Sequence, residues 1–195
     1  MRYAFPQVIF GFHGCDRSVG EALLTGKIKH LTASRNTYDW LGHGVYFWEN
    51  SPQRALQWAQ ECAKSPKKTR GVITDPFVVG AIINVGNCLN LTATEDKKIL
   101  LAAYHYVEQA YGDLQKPLPA NTESMRDLDC VVINAAVTLQ QVCKKQPFDT
   151  VRGAFVEGNP IYPGAKLFSK THVQICVRNP QCICGYFRPG EFVAP

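Results

Sequence analysis

The stretch over residues 41–63, LGHGVYFWENSPQRALQWAQECA, constrains this chain more than any other, because it spells turn, strand, cap and helix in immediate succession. Gly42 and Gly44 open backbone conformations closed to residues with a Cβ, and residues 45–48 are a β-branched and aromatic run. Asn50 and Ser51 read as a helix cap with Pro52 at the first helical position, so the spacing predicts a helix that starts at Pro52. Ala55, Trp58, Ala59 and Cys62 recur at helical spacing, giving an apolar face that packs inward and holds Tyr46 and Phe47 at the end of a strand.

The rest of the chain reads as strands at both ends with helices between. Residues 8–12 are predicted as a strand that ends in FHGC, which leaves His13 and Gly14 at the strand's end and Arg17 just beyond. Val19, Ala22 and Leu23 give a short helix closing at Gly26. The loop LTASRNTYDWLGHG, which carries Ser34 and Asp39, feeds the anchor stretch. After a charged connection over residues 64–75, residues 77–85 alternate as a strand that continues toward Leu91. Thr92 and Glu95 have capping-box spacing before a helix marked by Leu100, Ala103, Tyr104, Val107 and Tyr111. A Pro-rich surface loop, KPLPANTES, precedes a second helix with an apolar stripe from Leu128 to Val142. Residues 153–156, 172–177 and 183–187 are short β-like runs, the first two separated by EGNPIYPGAKLFSK. This is the pattern of an α+β domain covering residues 1–195.

Composition narrows the chemistry. With 46% hydrophobic residues in 195, one domain can bury a real core. No apolar run reaches membrane-spanning length, and the N-terminus leads into a strand pattern instead of a signal peptide, so a cytoplasmic protein is expected. Cys62, Cys88, Cys130 and Cys176 sit in apolar runs, where free cysteine behaves as a small hydrophobe, which agrees with a reducing compartment. Cys182 and Cys184 lack the spacing of a zinc knuckle, and no metal is expected. The net charge of +5 is scattered in short clusters, which suits a nucleotide or nucleic-acid partner, although a solvated surface is the commoner cause of such clusters. A Walker A loop, a paired-histidine zinc helix and a nucleophile-elbow serine are all absent from the sequence, and Gly42-His43-Gly44 lacks the third glycine of a dinucleotide fingerprint. A Cys/His nucleophilic pair on Cys15 or Cys62 could be built, but nothing in the sequence selects a partner histidine.

What remains is Phe12-His13-Gly14 on one strand and Gly44-Val45-Tyr46-Phe47 on another, in that order. These segments resemble the His-Gly and Gly-x-Tyr-Phe motifs of ADP-ribosyltransferase catalytic domains of the diphtheria-toxin and poly(ADP-ribose) polymerase class, with a helix entering directly after the tyrosine strand. The resemblance implies a split β-sheet core with flanking helices and NAD as co-substrate. It implies transfer to a macromolecular acceptor, protein or nucleic acid, in a toxin, defence or regulatory setting; the lack of a spanning apolar run leads to the expectation of no membrane partner.

By that pattern His13 holds the adenosine ribose, Gly14 the nicotinamide amide, Arg17 the diphosphate and Tyr46 a stacking face, with Ser34 and Trp58 as further cofactor contacts. The physical case is that a neutral imidazole can donate to or accept from a hydroxyl, and an aromatic ring stacks on a flat nicotinamide. A strand tyrosine such as Tyr46 is usually a core residue, and Trp58 reads as core more readily than as a wall of the site. The family's third element, a glutamate on a later strand, is missing: the matching strand, KTHVQICV, carries His172 and Gln174 there. Glu157 is the nearest replacement for the carboxylate that stabilises positive charge on ribose, and reads also as a solvated turn residue. Asp39 and Glu49 are further carboxylates near the cleft, Glu49 also suiting the helix dipole. Without the usual glutamate, the family pattern implies transfer of a single ADP-ribose unit, with NAD hydrolysis as a side reaction, or a catalytically silent NAD- or ADP-ribose-binding module. A nucleic-acid-binding domain that uses the basic surface is a third reading.

Overall fold

The computed structural model describes residues 7–65 and 71–190; the first six residues and the middle of the charged connection over 64–75 lie outside the described residues. Seven strands form one mixed sheet in the order β4-β5-β6-β2-β1-β3-β7. These are β1 (Val8–Asp16), β2 (Val45–Glu49), β3 (Pro76–Asn84), β4 (Cys88–Asn90), β5 (Thr150–Phe155), β6 (His172–Val177) and β7 (Ile183–Phe187). All pairings are antiparallel except β4 with β5. The helices are α1 (Arg17–Leu24), α2 (Pro52–Lys64), α3 (Thr94–Asp113) and α4 (Asp127–Val142). The architecture is α+β, and no helix among the described residues is long and apolar enough to cross a membrane.

Strand alternation divides the core between the two faces of the sheet. On one face Val45, Phe47, Val79, Ile83, Ile175 and Val177 pack under α1 and the following loop through Leu23 and Leu31. On the other, α3 and α4 cover Leu89, Val151 and Cys176, while α2 covers Trp48 and Val78. The exposed Val8 and Phe10 show that the start of β1 leaves this cover.

Several local expectations are corrected. The strand predicted over residues 8–12 runs on to Asp16, so His13 and Gly14 lie inside β1, held by continuous pairing with β3 as far as Asp16↔Pro76. α2 starts at Pro52, but its N-cap Ser51 makes no side-chain capping bond; Asn50 takes a left-handed φ of 51° and its N–H goes to the Phe10 carbonyl at 3.0 Å. The capping box at Thr92 does not form either. Ala93 is the N-cap of α3, the Thr92 hydroxyl donates to Asn90 at 2.8 Å, and Glu95 pairs with Lys98 at 2.9 Å. All eight cysteines are free thiols, and burial pushes the Cys15 and Cys176 thiols up to about 12, far from the thiolate a nucleophile needs.

Candidate active site

The sheet is joined at its centre by very little. β1 and β2 pair only at Gly11↔Glu49 and Phe12↔Trp48, whereas β1 continues along β3 and β2 continues along β6. Past Phe12 the two strands therefore part, and the next residue of β1 is His13. Its Nδ1 donates to the Tyr46 carbonyl oxygen across this fork at 2.7 Å. A carbonyl only accepts, so Nδ1 carries the hydrogen, and burial lowers the pKa of the ring. His13 is thus a neutral imidazole whose Nε2 is an acceptor.

Its neighbours come from both sides of the sheet. Phe47 meets the His13 ring edge-on at 5.8 Å, and Trp58 of α2 stands 6.5 Å from it, centroid to centroid. α2 can approach this closely because Gly14 has no side chain: a Cβ there would collide with the Ala55 carbonyl oxygen and lie 3.1 Å from the Ala59 methyl. Gly14 is therefore buried beneath α2, and its observed role is helix-on-strand packing.

Tyr46 lies in β2 with its ring against the core beneath α4. Its hydroxyl donates to the Gly42 carbonyl at 2.6 Å and accepts from Leu41 N–H at 2.8 Å, so it pins the turn in which Gly42 takes a φ of 71°. Ser34 clasps the same turn by a two-way backbone bridge to Gly44, at 2.7 and 3.1 Å, and its hydroxyl donates to the buried Asp39 at 2.8 Å. Burial raises the Asp39 pKa against these hydrogen bonds. Arg17 is exposed at the start of α1, bonded to Asp75 at 2.5 Å with its guanidinium over Phe77. Glu49, a candidate for the α2 dipole, is instead gripped by Arg152 at 2.6 and 3.1 Å, both side chains nearly buried.

A second cluster, legible only in three dimensions, stands beside the fork. Arg54, in the first turn of α2, is buried and reaches Glu157 at 3.2 Å; its guanidinium lies 5.8 Å from the Trp48 ring centre. Glu157 also lies 3.5 Å from His172, whose Nδ1 donates to the Lys170 carbonyl at 2.6 Å. Burial outweighs that bond and lowers the His172 pKa, which leaves Nε2 as an acceptor. Four buried polar atoms here have no partner among the described residues: Trp48 Nε1, Arg54 Nε and Nη1, and His172 Nε2. Gln174, two residues along β6 and so on the same face, is half-buried opposite Trp48 and Gly153.

The two clusters are joined by a file of rings. His13, Trp58, Trp48, His172, Phe155 and Trp40 follow one another at centroid separations of 6.5, 5.6, 6.3, 5.8 and 4.9 Å. The fold thus brings His13, Trp58, Glu157 and His172 to one region, with Tyr46 contributing its backbone. Arg17 and Ser34 have other structural partners. Among the described residues no group of three or more His, Cys, Asp or Glu side chains could hold a metal ion. Sequence reasoning missed Arg54 and Trp48; the only trace of Arg54 was its place one helical turn before Trp58. No family model, curated protein or solved structure matches the chain.

Proposed function

We propose that the protein binds NAD at the β1/β2 fork and transfers one ADP-ribose unit to a macromolecular acceptor, on a split-sheet core of the ADP-ribosyltransferase kind. The observation that carries this reading is the state of His13: a neutral imidazole, fixed by the Tyr46 carbonyl where the sheet parts, with Nε2 left to accept from a hydroxyl. A ribose hydroxyl suits that acceptor, and the partly buried Trp58 beside it offers an aromatic face to the nicotinamide.

In the reaction the bond between ribose and nicotinamide breaks with its electron pair leaving on nicotinamide, and an acceptor nucleophile takes the ribose carbon and gives up its proton. Positive charge develops on the ribose, and Glu157 is the carboxylate proposed to offset it, a contribution typically worth about 3–4 kcal/mol for a well-placed partner. Arg54 and the neutral His172 are its positioning residues. With His172 and Gln174 uncharged where the family carries glutamate, single transfer fits better than chain growth.

A second reading is favoured by the Arg54–Glu157 contact itself. A carboxylate already balancing a buried guanidinium has less charge to offer a substrate, which is the condition of a silent NAD- or ADP-ribose-binding module. Incubation with NAD and chromatographic detection of nicotinamide separates them. Transfer predicts release that falls by about 10²-fold or more in Glu157→Gln; binding of NAD without any release assigns the silent module.

A further inference from the structure

A polar hollow of about 670 Å³ lies away from the fork, between the loop that precedes β2, helix α4 and the ends of β5 and β6. Arg35, His43, Thr138, Gln141, Asp149 and Arg178 line it, and none of His13, Trp58, Glu157 or His172 does. Its walls are fixed by hydrogen bonds. Asn134 Oδ1 accepts from His43 N–H at 3.1 Å and from Arg178 Nη1 at 2.9 Å, which ties α4 to both rims. The Ser34–Gly44 bridge holds the residue next to Arg35.

The charges of this hollow are unbalanced. Asp149 is its only acidic lining residue among the described residues, and its carboxylate oxygens accept from Asn87 N–H at 2.9 Å and Asn179 Nδ2 at 2.8 Å. Neither Arg35 nor Arg178 meets a carboxylate among the described residues. Arg178 is half-buried, so its charge is partly desolvated, and the bond to Asn134 uses one of the five N–H donors a guanidinium carries. Two guanidinium groups that meet no carboxylate among the described residues, in a concavity within the size range of small-molecule sites, suit an anion with several acceptor oxygens. Gln141 and Gln146 line the same hollow with side-chain amides that make no hydrogen bond among the described residues, and these suit the sugar and base edges beyond a phosphate.

We infer that this hollow is a binding site for a nucleoside phosphate, with the phosphoryl group between Arg35 and Arg178 and the nucleoside against Gln141 and Gln146. The site is separate from the fork and does not depend on the function proposed there. Calorimetric titration of the full chain with ADP tests it, alongside inorganic pyrophosphate and a short single-stranded oligonucleotide. ADP is expected to bind, with pyrophosphate competing for the phosphoryl seat. In a His13→Ala background, which removes the fork's ribose acceptor, Arg35→Gln and Arg178→Gln should each weaken ADP at least about tenfold, and Arg178→Lys should weaken it less than Arg178→Gln. Arg35 is exposed and has no side-chain partner among the described residues, so Arg35→Gln keeps the fold and remains decisive if Arg178→Gln does not. Loss of ADP binding in His13→Ala, with retention when either arginine alone is replaced, would overturn the inference by moving the ligand to the fork. Absence of ADP binding would overturn it too, and binding of the oligonucleotide alone would reassign the two arginines to a nucleic-acid surface.

Discussion

Replacing Glu157 by Gln removes the only carboxylate that meets Arg54 among the described residues, and its cost can be worked from the contact. At an N–O separation of 3.2 Å the gross attraction is about 5 kcal/mol at an effective dielectric of about 20, before any desolvation. The Arg54 side chain is 9% exposed and that of Glu157 30%, so the pair lies between two measured regimes. Truncating one partner of a buried pair costs about 3–5 kcal/mol, whereas exposed pairs contribute about 0.2–1 kcal/mol. Discounting for the solvent at Glu157, about 2 kcal/mol is expected for Glu157→Gln, because the guanidinium stays buried with Nε and Nη1 already without partners among the described residues. Arg54→Met removes that burden, so in Arg54→Met/Glu157→Gln the second substitution should cost little. Urea unfolding followed by tryptophan fluorescence reads the full cycle, with Trp48 reporting from beside the pair. A Glu157→Gln variant within about 0.5 kcal/mol of the parent, with an additive cycle, would show instead that Glu157 does not balance the buried Arg54 charge.

Gly14→Ala should destabilise by about 1–3 kcal/mol by forcing α2 off β1, and an unchanged denaturation midpoint would contradict the close approach described for it. Tyr46→Phe should lose about 1–3 kcal/mol, because the Gly42 carbonyl and Leu41 N–H lose their shared partner. His13 and His172 have folded pKa values below their unfolded value of 6.5, so the unfolded chain binds more protons as pH falls. Stability should therefore drop below about pH 6.5, by up to about 1.4 kcal/mol per pH unit for each ring, and His13→Gln should flatten that slope in pH-dependent melting. A thiol reagent applied to the native chain should label Cys143 and Cys184 first, since both are exposed while Cys15, Cys62, Cys130, Cys176 and Cys182 are buried.

The elements were legible where the signal is local. Proline at the first position of α2, the apolar stripe of α4 and the alternation in residues 172–177 each settle within one turn or a few residues, and α2 and β6 begin where the sequence places them. The extension of β1 through His13 and Gly14 was not legible, because what holds those residues in a strand is pairing with β3, more than sixty residues away. The same limit hid the site's electrostatics. Arg54 and Glu157 are 103 residues apart, as are Arg152 and Glu49, and charged residues at such separations carry no mark of their partners. His13, Trp58, Glu157 and His172 could be picked out by residue type and local pattern. That Trp48 links them in one file of rings follows only from the β2–β6 register that sets Trp48 opposite Gln174, two residues from His172.

The claim on which the rest turns is that the β1/β2 fork receives NAD through His13. The most direct measurement is the melting temperature of the full chain with and without millimolar NAD, for the parent and for His13→Ala. A ligand bound only by the folded state stabilises it by about 2.7 kcal/mol at a hundred times its dissociation constant, so the parent should melt several degrees higher with NAD, and His13→Ala should lose most of that shift. A parent whose melting is unmoved by NAD, or a His13→Ala chain shifted as much as the parent, would contradict the claim.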